Sequence, residues 1–167
     1  MPSVFTVHDA AKVRLFAPLE TLDAYTPPAA TMAGRIAPNE LVVVGDPSQA
    51  AAIVAHAEQA LALLGTRAMV IDHTDGWSLF SLTGDDIEQV FARVSMLGLP
   101  DAADEPVFFM GRIAHVASKA FRRAGRIDIM TGSETTRHVA DTLAHAGHHA
   151  GLTHVSAPET DPLGVTS

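Results

Sequence analysis

The sequence predicts an α+β fold, helices layered on a mainly antiparallel sheet, and three observations carry that expectation. The run Leu41-Val42-Val43-Val44-Gly45 is short and apolar throughout, as a strand buried on both faces must be. Three stretches switch to helical spacing directly after a capping residue, at Asp46, Thr83 and Ser133. Between them lie pairs of strand-like runs joined by turn residues, and hairpins impose antiparallel pairing. The expected order is strand, helix, hairpin, helix, hairpin, helix, strand.

Each element has a local justification. Residues 1–39 contain Pro18, Pro27, Pro28 and Pro38, which interrupt any period, so an irregular N-terminal arm with at most one short strand is expected. A single domain is expected over residues 40–156. After the 41–45 strand, Asp46 caps a helix, Pro47 suits its first position and Gln49 completes a capping box. Ala50, Ile53, Val54, Ala57, Leu61 and Leu64 form its apolar stripe, and Gly65 closes it. Ala68 to His73 and Trp77 to Thr83 read as the strands of a hairpin, with positive φ angles at Asp75-Gly76. Thr83 and Asp86 cap a second helix that buries Ile87, Val90, Phe91 and Val94 and ends near Leu97-Gly98. Val107 to Met110, Ile113 to Ala117 and Lys119 to Arg123 look extended; Gly125 turns the chain into a half-exposed strand, Arg126 to Thr131. A third helix buries Val139, Leu143 and Ala146 and stops at Gly147. A short strand, Leu152 to Ser156, precedes a flexible tail, residues 157–167.

Composition narrows the chemistry. With 167 residues, 47% hydrophobic, one substantial core is affordable. A net charge of -8 gives a phosphate backbone little to bind, so nucleic acid is not an expected partner. No apolar run approaches the roughly 18 residues a bilayer span needs. The start of the chain lacks the unbroken apolar stretch of a signal peptide, and a cytoplasmic location is expected. The absence of cysteine removes disulfides, thiolate nucleophiles and thiolate metal sites.

Four groups of residues invite a functional reading, each beside a plainer one. Gly45 stands where a phosphate loop would, but neither dinucleotide nor P-loop spacing is present, and a strand-to-helix turn explains it. His138, Asp141 and His145, with His149 a turn further, lie on one side of the third helix and have the donor types of a metal site. A solvated face beside Val139 and Leu143 is the plainer explanation, and no metal is assigned. His145, His148, His149 and His154 also concentrate imidazoles that titrate near ~6.5, so this end of the chain is a candidate for acid sensitivity. Lys119, Arg122, Arg123 and Arg126 gather cationic charge that suits an acidic partner or an anionic cofactor tail such as folate glutamates; a charged strand edge is the alternative. Around Asp75-Gly76, His73 offers a base and Trp77 a stacking surface, against a well-made corner. No nucleophile or paired-carboxylate signature joins them, so no catalytic residue is assigned.

Three stretches, "IAPNELVVVGDP", "AMVIDHTDGWSLFSLTGDDIEQVFARVSMLGLP" and "GRIAHVASKAFRRAGRIDIMTGSETTRHVADTL", resemble the gamma subunit of heterotetrameric sarcosine oxidase. That subunit in turn resembles part of the glycine cleavage T protein folate-binding fold. The similarity spans Ile36 to Leu143, and its most specific part is D-x-(T/S)-D-G-W/R-x-x-(F/L)-x-L-x-G, met by Asp72 through Gly84. In such oxidases the resemblance implies flavins in other subunits, NAD and tetrahydrofolate sites in a large subunit, and a gamma chain without catalytic residues that packs against it. The sequence departs from the pattern in its Pro-broken arm and His-rich end, which leaves the N-methyl substrate of the partner open.

The resemblance therefore implies a non-catalytic accessory subunit of a folate-linked oxidative N-demethylase. Tetrahydrofolate and flavin are expected in partner subunits and no cofactor is expected in this chain alone. Trp77, His73, Arg112, Lys119, Arg122 and Arg123 are the candidate contacts to a folate cavity. A free-standing folate-binding or one-carbon-transfer protein, and a His-rich metal-binding regulator, are the alternatives.

Overall fold

Hydrophobic alternation and apolar runs sort ten strands into two sheets, each with its own helices. The computed structural model describes residues 4–148 and 153–155. The strands are β1 Val4–His8, β2 Ala11–Phe16, β3 Met32–Ala37, β4 Glu40–Gly45, β5 Met69–Asp72, β6 Trp77–Thr83, β7 Val107–Ile113, β8 Val116–Arg123, β9 Arg126–Gly132 and β10 Thr153–Val155. The helices are α1 Leu19–Ala24, α2 Ala50–Leu63, α3 Ile87–Val94 and α4 Thr136–His148. The chain divides into two compact units: Asp9–Asp75 form one, and β1 with the described residues from Gly76 onward form the other. The α+β class and the antiparallel sheets are as the sequence predicts.

In the Asp9–Asp75 unit the sheet order is β3-β4-β2-β5, antiparallel throughout. Strand β4 lies inside it and is buried from Leu41 to Gly45, which is why its sequence is apolar on both faces. The capping box forms: Asp46 accepts from the Ser48 N–H at 2.9 Å and Gln49 Oε1 accepts from the Asp46 N–H at 3.0 Å. The Ser48 hydroxyl and N–H together hold the Asp46 carboxyl below its ordinary pKa. A Cβ on Gly45 would come within 2.7 Å of Ile53 Cδ1 and 2.9 Å of Gln49 Oε1, so any larger residue there would have to displace the tips of those two side chains. Ile53, Ala57 and Leu61 fill the core with Val13, Leu15, Leu22 and Val43, whereas Leu64 is exposed instead of buried. Gly65 ends the helix at φ +69.

The other unit orders its sheet β10-β1-β6-β9-β8-β7, with only β1 and β10 parallel. Helix α3 buries Ile87, Val90, Phe91 and Val94 as predicted, and α4 buries Val139 and Leu143. These meet Phe5, Phe80, Leu82, Ile127 and Ile129 in one core. Phe5 and Phe80 stack with ring centroids 5.9 Å apart.

The structure corrects the sequence expectations at several points. Residues 1–39 are not an irregular arm: they supply β1, β2, α1 and β3. Ala11, Val13 and Leu15 alternate with Lys12, Arg14 and Phe16, and the prolines sit between these elements, not within them. The single domain expected over 40–156 is instead divided at Asp75/Gly76. Most important, β5 and β6 do not pair. Strand β5 pairs with β2 at one sheet's edge, and β6 lies between β1 and β9 in the other sheet. Residues Thr74–Gly76 form a 3-10 turn, and neither Asp75 nor Gly76 takes positive φ. The physical reason is burial: Leu79, Phe80, Ser81 and Leu82 are all covered, which a two-stranded ribbon cannot achieve.

Smaller differences follow the same logic. Ile113 to Ala117 does not run extended, because the chain reverses at Ala114-His115, φ 50 and 65. Strand β9 is buried from Ile127 to Thr131, not half-exposed, since Asp128 is neutralised internally. Helix α3 stops at Ser95, ahead of Leu97-Gly98. Asp86 does not cap α3 through its side chain, and Ser133, instead of standing before the helix as its cap, begins a 3-10 turn that runs into α4. The Leu152 to Ser156 strand is described only as Thr153–Val155; Leu152, Ser156 and the 157–167 tail lie outside the described residues.

Candidate functional site

Strand alternation distributes the predicted cationic residues. Along β8, successive side chains point to opposite faces, so Lys119, Phe121 and Arg123 share one face while Arg122 turns to the other. Strand β8 lies between β7 and β9, which replaces the solvated edge expected there. Arg122 is 4% exposed; its Nη2 donates to Glu88 Oε1 at 2.7 Å, and its Nε and Nη1 have no hydrogen-bond partner among the described residues. Lys119 places its ammonium 4.3 Å from the Trp77 ring centroid, a cation–π contact across β9.

On that same face lies a buried ionic cluster that the sequence reading did not foresee. Asp128, fully buried, accepts from Ser81 Oγ at 2.5 Å, Arg126 Nε at 2.8 Å and Arg123 Nη2 at 3.1 Å. Arg126 Nη2 also donates to Ser81 Oγ at 2.9 Å. Ser81, Asp128 and Phe121 stand in register across β6, β9 and β8, so the cluster is a direct product of strand pairing. Its visible signal was the alternation Arg126-Ile127-Asp128-Ile129, with a carboxylate two residues from one arginine and five from another.

Arg112 stands apart from these, donating through Nη2 to the His115 carbonyl at 2.8 Å. His73 lies in the Asp9–Asp75 unit, whereas Trp77 lies in the other. The structure thus unites Trp77, Lys119 and Arg123 on one sheet face, and sends Arg122 to the opposite face.

Around His73 the noteworthy group is Lys12, which sequence reading did not single out. It is only 3% exposed, and its Nζ donates to the Thr74 carbonyl at 2.9 Å. Burial pushes the ammonium below its ordinary pKa, while Asp9, Asp75 and Asp72 act in the opposite direction. The His73 N–H donates to the Lys12 carbonyl at 2.8 Å, and Thr74 hydrogen bonds hold the Asp72 carboxyl low.

The triad His138, Asp141 and His145 does not converge. His138 Nε2 is 2.9 Å from the Ala114 carbonyl, and Asp141 faces Arg137 at 3.9 Å. Among the described residues no three His, Asp or Glu side chains are placed to hold a metal ion; His149 and the side chain of His154 lie outside them.

No protein-family model and no curated protein matches the chain by sequence. Solved structures do match by fold. A chain of heterotetrameric sarcosine oxidase from Corynebacterium sp. U-96, in complex with pyrrole 2-carboxylate, superposes with TM-score 0.66 at 15% identity, over 90% of this chain and 87% of that one. The glycine cleavage system aminomethyltransferase T from Bartonella henselae superposes with TM-score 0.68 at 15% identity, over 92% of this chain. This chain spans about half of the transferase, 48%. At such identity the likeness is one of fold. No helix among the described residues is long and apolar enough to cross a membrane.

Proposed function

We propose that this chain is a non-catalytic, gamma-like accessory subunit of a heterotetrameric sarcosine-oxidase-type, tetrahydrofolate-linked oxidative N-demethylase. The observation that carries the reading is the reciprocal coverage: 90% of this chain matches 87% of one chain of a heterotetrameric oxidase, against 48% of the transferase. That coverage supports reading the chain as one component of an assembly.

The polar residues support it. Asp128, Arg123 and Arg126 are used on one another inside a sheet face, and Arg122 is spent on Glu88. Such internal pairing holds shape and leaves little for bond-making. Flavin and tetrahydrofolate belong, on this reading, to partner subunits, with Trp77 and Lys119 the residues of this chain placed together to meet an anionic folate tail.

The test is affinity purification of the tagged chain from its native cells. Recovery of flavin-bearing chains in fixed stoichiometry supports the proposal. Recovery alone, with tight binding of tetrahydrofolate by the isolated chain, favours the free-standing one-carbon protein instead.

A further inference from the structure

A cavity of about 520 Å³ opens between the end of α3, the segment after it, the β7–β8 turn and α4, and it plays no part in the function proposed above. Its size falls within the range typical of small-molecule sites, about 300–1,000 Å³. Val94, Met96, Leu97 and Ala114 make much of its wall, and Arg93, Arg112 and His115 bring positive or protonatable groups to it. Among the described residues no Asp or Glu lines it, although the chain as a whole carries a net charge of -8.

The wall is built rather than incidental. Ala114 and His115 both take the left-handed conformation, φ 50 and 65, where glycine or asparagine is usual. Two consecutive strained residues persist only when their surroundings fix them. Here the Ala114 N–H donates to the Val94 carbonyl at 2.7 Å, and Arg112 Nη2 donates to the His115 carbonyl at 2.8 Å. The Ala114 carbonyl is an acceptor, so His138 Nε2, 2.9 Å away, carries the proton between them. Opposite, Leu97 lies flat on Gly111, whose absent Cβ would fall 1.6 Å from Leu97 Cδ1. Any side chain there would drive Leu97 off the strand.

We propose that this cavity binds a small amphipathic carboxylate, with its apolar body against Met96, Leu97 and Ala114 and its carboxylate at Arg93 and Arg112. An arginine and a carboxylate form charge-assisted, geometrically specific pairs, which sets the preference for an acid over its neutral counterpart.

The test is isothermal titration of the full chain with octanoate, and with octanol as the neutral probe of equal length. Octanoate is expected to bind saturably and octanol about tenfold more weakly, the size of one charge-assisted contact. Arg93→Gln should remove about that tenfold preference. Ala92→Trp and, separately, Thr142→Trp should fill the cavity and abolish binding of both probes. Ala92 and Arg93 are exposed positions on α3, and an unchanged melting curve verifies that those variants fold. Equal binding of the two probes, indifference to Arg93→Gln, or binding that survives both tryptophans overturns the proposal. So does the absence of octanoate binding, including the case in which Met96→Glu lowers recovery of flavin-bearing chains: the cavity mouth is then a subunit contact, and the proposed function stands without it.

Discussion

Replacing Asp128 with alanine removes a buried carboxylate that Arg123 and Arg126 share. The side chains of Arg123 and Arg126 are 14% and 16% exposed and Asp128 is 0% exposed, so water cannot take its place fully. Breaking such a buried set by deleting one partner costs about 3–5 kcal/mol, because the remaining charges stay desolvated. For a chain of this length each kcal/mol moves the midpoint by about 2–4 °C, which gives a loss of about 6–20 °C. Trp77 is the sole tryptophan and belongs to the same unit, so fluorescence-detected thermal and urea unfolding reads the affected region. The triple replacement Arg123→Met, Arg126→Met and Asp128→Leu should recover most of the loss, since apolar substitution of a whole ionic group is near neutral. A cost below about 1 kcal/mol for Asp128→Ala, the range of exposed pairs, would refute the buried-cluster account.

Three further outcomes are expected. Tyr25 is the only tyrosine, its hydroxyl is buried without a hydrogen-bond partner among the described residues, and burial pushes its pKa from 10.0 up to about 12. A raised folded-state value means its stabilising contribution is full below pH 10.0 and disappears as pH rises through about 12. Tyr25→Phe should abolish that alkaline decline, and tyrosinate absorbance appearing near 10 in the folded protein would contradict it. Asp46→Ala should lower stability by about 1 kcal/mol through loss of the capping box on the 3-10 turn Pro47–Gln49 that leads into α2, measured by circular dichroism; no change would mean the box contributes nothing. Lys119→Gln should shift Trp77 emission and cost about 0.5–1 kcal/mol, and an unaltered spectrum would deny the cation–π contact.

Legibility in the sequence followed how local each determinant is. The box at Asp46, Pro47 and Gln49 and the α3 stripe were readable because capping and helical period are written within a few residues. The β8–β9 hairpin was readable from Gly125, φ +66, for the same reason. Asp75-Gly76 misled because a turn signature does not say which strands it joins; the burial of β6 on both faces decided that, and its partners β1 and β9 are distant in sequence. The period-two pattern of Ala11, Val13 and Leu15 was present but masked by neighbouring prolines. The Ala114-His115 reversal carried no glycine or asparagine to announce it, and it depends on Val94 and His138 from other elements. Among the candidate residues, Trp77, Lys119 and Arg123 do meet on one face, but the pairing of Arg122 with Glu88 and of Asp128 with two arginines is tertiary information.

The proposal that this chain serves inside a larger oxidase is tested most directly by native mass spectrometry of the chain captured from its own cells. The expected spectrum is a hetero-oligomer containing flavin-bearing chains, with no signal for free chain at 17.6 kDa beyond a minor fraction. A spectrum dominated by the 17.6 kDa species, alone or in self-assemblies without any other polypeptide, would contradict the account.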